Sequence, residues 1–406
     1  MMRRKLLLTA VVTSALFSFY VPSSIGGTIS YSLSVVSILG TCGLLAAILA
    51  LSGSTAPLLN IILALLVPAL LFGFTVSSPF RDYSPGVLLL YCTQSVLFMV
   101  NLRTDASRHL EHAFQAIIGI SLAFGCALAL NLQPADRLVL GYYNAFYQDL
   151  GSYMVVSFDK PVLTFATHSM AGFMIYLLFV MELRSWQALG RIWRLLAALG
   201  LLGLLWRLQS TTSMAFLALG ALELAVVAYR GLLPKRAQWA VAAVVLLAGA
   251  PVLGRGAARL VGEARGAVVG DRVRGYAARY ADGGLLASNF EYLARSPFSP
   301  IGASATSTLY LGDSGIVVNL LRGSVPMVLF VYGALWLFFV TNLSNVRDAT
   351  QLWLATLVFE TGFTPLMYFR FLGFAPFMVV YLHSLSGRQC TAETVEAGAV
   401  AVPGGD

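Results

Sequence analysis

The chain has 406 residues, 58% hydrophobic and 11% charged, with a formal net charge of +8 and a mean hydropathy of +0.80. Soluble domains carry about 25% charged residues, so this composition excludes an ordinary soluble enzyme and predicts a polytopic membrane protein. The positive balance is not a nucleic-acid footprint, because most basic residues sit in short loops between apolar runs, where they orient helices.

A helix that crosses a bilayer needs about 20 mostly apolar residues. That pattern predicts an all-α fold of about twelve transmembrane helices, at 6–22, 29–51, 57–76, 86–101, 113–132, 166–183, 191–208, 212–229, 238–254, 323–342, 350–367 and 371–387. The first follows Met1-Met2-Arg3-Arg4-Lys5 and has no clear small-x-small site after Phe19, so a retained helix is expected rather than a cleaved signal peptide. Arg103 and Arg108, then Arg184, Arg191 and Arg194, then Arg230, Lys235 and Arg236, then Arg347, then Arg388 fall in alternate loops. Positive loop charge stays cytoplasmic, so both termini are expected there. Residues 1–390 are expected to form one transmembrane domain and 391–406, small, acidic and Gly-rich, a disordered cytoplasmic tail. Cys42, Cys92, Cys126 and Cys390 form no CxxC, so neither a disulfide nor a metal site is expected. No GxxxxGK[ST] loop and no dinucleotide fingerprint occurs, and no cofactor is expected.

Two extracytoplasmic loops are long, 133–165 and 255–312. Helix connections usually take 2–8 residues, and longer ones are functional or disordered; the aromatic content argues against disorder. The first loop holds Tyr142, Tyr143, Tyr147 and Tyr153 with Asp136, Asp149 and Asp159. The second holds Arg255, Arg259, Arg265, Arg272, Arg274, Arg279 and Arg295. Arg265, Arg272 and Arg279 recur every seven residues, a basic stripe if helical. Such a stripe suits an amphipathic helix on anionic headgroups. It equally suits a clamp for phosphate, since guanidinium stays charged and donates in a planar fork. An outward cluster of arginines works against correct insertion, which favours the clamp.

Charge also occurs within or at the ends of apolar runs, where it costs about 2.5–3.5 kcal/mol on insertion scales and usually faces a cavity. Glu360 lies near the middle of its run; Arg322 lies where the second loop re-enters the membrane; Arg207, Arg370 and His168 lie at outer ends. The topology brings these five to one membrane level. Each has a plainer reading alone: His168 as a packing or capping residue, Glu360 as the ion partner of Arg322 or Arg370, Arg207 as a snorkelling end residue. Glu223, mid-span, has no evident partner and Glu182 lies near the inner end; both are left as structural or without an assigned role, and His109, His112 and His383 fall on the cytoplasmic side.

Four segments carry a family likeness: Thr167-His168-Ser169-Met170-Ala171-Gly172, Gln209-Ser210-Thr211-Thr212-Ser213-Met214-Ala215, Arg295-Ser296-Pro297-Phe298-Ser299-Pro300-Ile301-Gly302, and Gly312-Asp313-Ser314-Gly315 running to Leu321-Arg322-Gly323. With the topology, over about residues 160–385, they make the chain resemble the bacterial O-antigen polymerase (Wzy-type) and O-antigen ligase superfamily of membrane glycosyltransferases. The polymerases' Arg-x10-Gly spacing recurs at Arg255/Gly266, Arg259/Gly270, Arg272/Gly283, Arg322/Gly333 and Arg108/Gly119. The ligase branch carries a His in the second long loop, which is absent from 255–312, so polymerase is favoured over ligase.

The resemblance implies extracytoplasmic transfer of a growing glycan from an undecaprenyl-pyrophosphate carrier onto a lipid-linked repeat unit, without a metal. Membrane lipids, a chain-length regulator and a flippase are the partners it implies. Arg207, Arg255, Arg259, Arg265, Arg322 and Arg370 are then candidates to hold the pyrophosphate and stabilise its leaving charge. Glu360, Asp313 and His168 are alternative bases for the acceptor hydroxyl. Tyr276 and Tyr280, with Tyr142 and Tyr143, are candidates to stack on sugar rings. The rivals are an O-antigen ligase and a lipid-linked-oligosaccharide flippase or other transporter.

Overall fold

The computed structural model describes residues 19–20, 108–146, 160–165, 167–232, 286–295, 314–362 and 369–400. Among them 88% are helical and none is in a strand. The elements in chain order are α1 (Arg108–Ala129), α2 (Gln133–Phe146), α3 (His168–Leu189), α4 (Ile192–Leu208), α5 (Thr211–Leu232), α6 (Ala287–Arg295), α7 (Gly315–Asn342), α8 (Val346–Glu360) and α9 (Phe369–Val400). Among the described residues two stretches are long and apolar enough to cross a membrane, Leu110–Ala129 in α1 and Val325–Asn342 in α7.

The organising element is α3. It is buried continuously from Met170 to Ser185, as expected of a helix apolar all round. It packs on α4, α5, α8 and α9. Thr167 caps its start by accepting from Met170 N at 3.1 Å. Gly190 ends it at φ +65°, a left-handed turn that glycine adopts without strain. The chain then reverses over two residues into α4 and again through Gln209-Ser210 into α5. These tight turns make α3, α4 and α5 run alternately. One face of α4 buries Ala198, Leu201, Leu205 and Leu208, while Ile192, Leu196, Leu199 and Trp206 line an exposed apolar stripe.

The predicted spans locate the helices well where turn residues punctuate them, as in α4. Elsewhere the structure departs from the expectation. The long loop 133–165 opens with a helix, α2, and the loop 255–312 contains α6. The last helix runs on to Val400 rather than giving way to a disordered tail after Cys390. Thr391–Val400 is rich in Ala and Glu, good helix formers, and the first proline after it is Pro403.

Helix α7 is not straight. Asn319 donates to the Tyr332 hydroxyl at 3.2 Å although they stand 13 positions apart. In a straight helix that is about 20 Å of rise, more than the two side chains span. The helix therefore folds sharply between them, where Gly323-Ser324 and the internal Pro326 stand. Proline removes the N–H that would bond the carbonyl four residues back, here that of Arg322. The arm 315–322 thus turns back on the longer segment. Its Val317 and Leu321 form a small cluster with Leu286 of the α6 start, apart from the main core.

Candidate functional site

At one end of the bundle the helix ends carrying the sequence motifs meet. Thr212 Oγ1 donates to Ser169 Oγ at 3.3 Å. One turn deeper, a Cβ on Gly172 would lie 3.0 Å from Ser213 Cβ, so α3 and α5 approach closely here. Ser210 and Ser213 cap the start of α5 reciprocally, each accepting from the other's main-chain N–H, at 2.9 and 3.0 Å. The segments Thr167–Gly172 and Gln209–Ala215, about forty positions apart, are therefore neighbours. Phe173 links them to α8 by stacking on Phe359 at 4.5 Å, and to α9 by touching Phe371 at 5.1 Å.

Glu360 is the last residue of α8 and only 1% exposed. Its carboxylate lies against the first residue of α7, so that a Cβ on Gly315 would fall 1.7 Å from Oε2. Only glycine admits the carboxylate there. A helix N-terminus is also where a negative charge is favoured, since its first N–H groups point outward. Ser314 caps that terminus and its hydroxyl donates to the Glu360 carbonyl at 3.2 Å. Tyr332 donates its hydroxyl to Glu360 Oε2 at 2.5 Å. The Tyr332 carbonyl accepts from Trp353 Nε1 at 2.9 Å, which fixes α7 against α8.

The arginines at this level are held by main-chain carbonyls. Arg370, 2% exposed, donates to the carbonyls of Thr164 at 3.0 Å and Tyr20 at 3.3 Å, and lies 4.6 Å over the Phe165 ring. Arg207 donates to the Ala129 carbonyl at 3.3 Å, at the end of α1, a favourable place for a cation. His168 is the half-buried first residue of α3. Arg322 lies in the folded-back arm of α7, not in a loop entering the membrane; its side chain is outside the described residues. Asp313, Arg255, Arg259, Arg265, Tyr276 and Tyr280 also lie outside them. Tyr142 donates to the Tyr20 carbonyl at 2.8 Å, and buried Tyr143 donates to the Phe165 carbonyl.

The opposite end holds what the sequence reading missed. Arg184 meets Glu223 at 2.5 Å and Asp348 at 2.7 Å, with Gln351 at 2.8 Å. Gln351 in turn donates to the Tyr176 hydroxyl at 3.1 Å and to Glu223. Arg194, wholly buried, meets Glu182 at 3.1 Å and Glu111 at 3.2 Å, and donates to the Tyr381 hydroxyl at 3.3 Å. Glu223 and Glu182 thus have partners after all, and two arginines assigned to a cytoplasmic loop are buried in ion pairs. Among the described residues no group of His, Cys, Asp and Glu is arranged to hold a metal ion. Comparison with family models, with curated proteins and with solved structures finds no match to this chain.

Proposed function

We propose that the chain is a metal-independent membrane glycosyltransferase, a polysaccharide polymerase of about twelve spans. It would work at the outer face of the bacterial cytoplasmic membrane, with both termini inside. It would transfer a growing glycan from undecaprenyl pyrophosphate onto a lipid-linked repeat unit. The observation that carries this reading is Glu360: a buried carboxylate lodged at the start of α7, level with the motif-bearing starts of α3 and α5. Glu360 takes the proton of the acceptor hydroxyl. The arginines of the second outer loop, with Arg322, Arg207 and Arg370, stabilise charge on the departing pyrophosphate. The exposed apolar stripe of α4, with Trp193 and Trp206 near its two ends, suits contact with lipid.

The test is purified protein with a polyprenyl-pyrophosphate-linked repeat unit, without nucleotide and with a chelator present. Products longer than one repeat are expected, and Glu360→Gln should yield none while remaining in the membrane. Normal ladders from that variant remove Glu360 from the chemistry. The fold in α7 favours a second reading, because transporters of lipid-linked oligosaccharides would use a broken helix near the substrate. That reading expects vesicles to move the lipid-linked unit across the bilayer with no lengthening.

A further inference from the structure

We infer that Tyr332 is a positioning residue for the base, and that Asn319 sets the direction of its hydroxyl. The inference rests on Glu360 being that base. Asn319 Nδ2 donates to the Tyr332 oxygen at 3.2 Å, and Tyr332 lies 2.5 Å from Glu360 Oε2. The amide has hydrogen to give, so it occupies an acceptor position of the hydroxyl. The hydroxyl hydrogen is then turned toward Glu360, and the carboxylate accepts it. All three groups are buried, Asn319 and Tyr332 at 4% exposure each. A phenol donating to the carboxylate holds that oxygen in place, so the group is positioned before an acceptor arrives.

The same three residues hold the fold of α7. Asn319 stands on the returning arm, Tyr332 on the long segment and Glu360 at the end of α8. The placing of the arm therefore sets the donor against the carboxylate. Arg322 is on that same arm, so the residue proposed to hold the pyrophosphate and the group that positions the base share one element.

A hydrophobic carbodiimide tests the relay without relying on turnover, because it adds only to the protonated carboxyl. The adduct on Glu360 is counted by peptide mass spectrometry at pH 7 in full-length protein in lipid nanodiscs. Tyr332→Phe should be modified about tenfold faster than the wild type, the factor expected for losing one hydrogen bond to a charged group. Asn319→Leu should fall between the two. In the lengthening assay Tyr332→Phe should lose about tenfold in kcat with KM changed less than about twofold. Modification of Tyr332→Phe and Asn319→Leu at the wild-type rate overturns the relay. If Tyr332→Phe does not fold, Asn319→Leu decides alone. Lengthening by Glu360→Gln instead overturns the base itself, whatever the labelling gives.

Discussion

The two ends of the bundle bury charge in different surroundings. Where α3 finishes, arginine meets carboxylate: Arg184 with Glu223 and Asp348, Arg194 with Glu182 and Glu111. Where α3 begins, Arg207 and Arg370 donate to main-chain carbonyls, and Glu360 is met by a phenol and a helix start. Twelve residues of α8 separate Asp348 from Glu360, about 18 Å of helix. A carboxylate gripped by guanidinium has its charge answered; it holds helices together and makes a poor base. The paired end is a lock; the other holds the carboxylate proposed above as the base.

The largest expected effect breaks the lock. Arg194→Ala leaves Glu182, 1% exposed, as an uncompensated charge, which costs about 3–5 kcal/mol. Thermal unfolding in detergent should show it as a marked fall in Tm. Adding Glu182→Gln and Glu111→Gln to an Arg194→Met chain should restore most of the loss, since replacing a whole buried ion cluster is often neutral. A single variant as stable as the wild type would mean that Arg194 is not structural, and the contrast between the ends would fail.

Why this lock escaped the sequence is physical. Arg184 and Arg194 flank Gly190-Arg191, and the charge rule reads such arginines as loop residues. The helix runs to Leu189, past the predicted end at 183, and carries Arg184 inward. Its partner Glu223 stands 39 positions away, and Arg194 reaches Tyr381 across 187. No periodicity in one helix reports such a pairing. The helices themselves were legible: α4 begins at Ile192 against an expected 191 and ends at Leu208 as expected, because Gly190 and Gln209-Ser210 mark its limits. Glu360 was legible because a carboxylate in an apolar run is expensive. Tyr332 was not, since a tyrosine in a helix that packs tightly differs in nothing from a core aromatic. The fold in α7 left a trace in Gly323-Ser324 and Pro326, and the expected span start at 323 falls on it.

The next expected effect falls on the opposite end. Gly315→Ala places a methyl group where the Glu360 carboxylate lies. Overpacking of this kind costs about 1–3 kcal/mol, less than breaking the lock, yet it should remove lengthening activity by displacing the base. Combining it with Glu360→Asp shortens the side chain and should recover stability without recovering full rate. Gly172→Ala tests the neighbouring helix contact by the same means, since its new Cβ would sit 3.0 Å from Ser213 Cβ. That contact is tight but not blocked, so activity should survive. Loss of activity in both variants alike would mean that the whole end is merely sensitive to packing.

The smallest effect sharpens the contrast through pH. Asp348 precedes the predicted span at 350–367. Burial raises its carboxyl above the ordinary value of 3.8, and the Arg184 guanidinium opposes that only in part. The folded chain then holds this proton more tightly than the unfolded chain does. Below the unfolded value both states are protonated and the residue contributes nothing; as pH rises past 3.8 toward the folded value, stability falls, and above it the loss is constant. Asp348→Asn should therefore flatten the decline in Tm across the acidic range while leaving Glu223 to hold Arg184. A steeper decline in the variant would show that Arg184 outweighs burial, and that Asp348 is ionised in the fold from low pH upward. The lock would then gain strength with rising pH, so acid would loosen the end opposite Glu360.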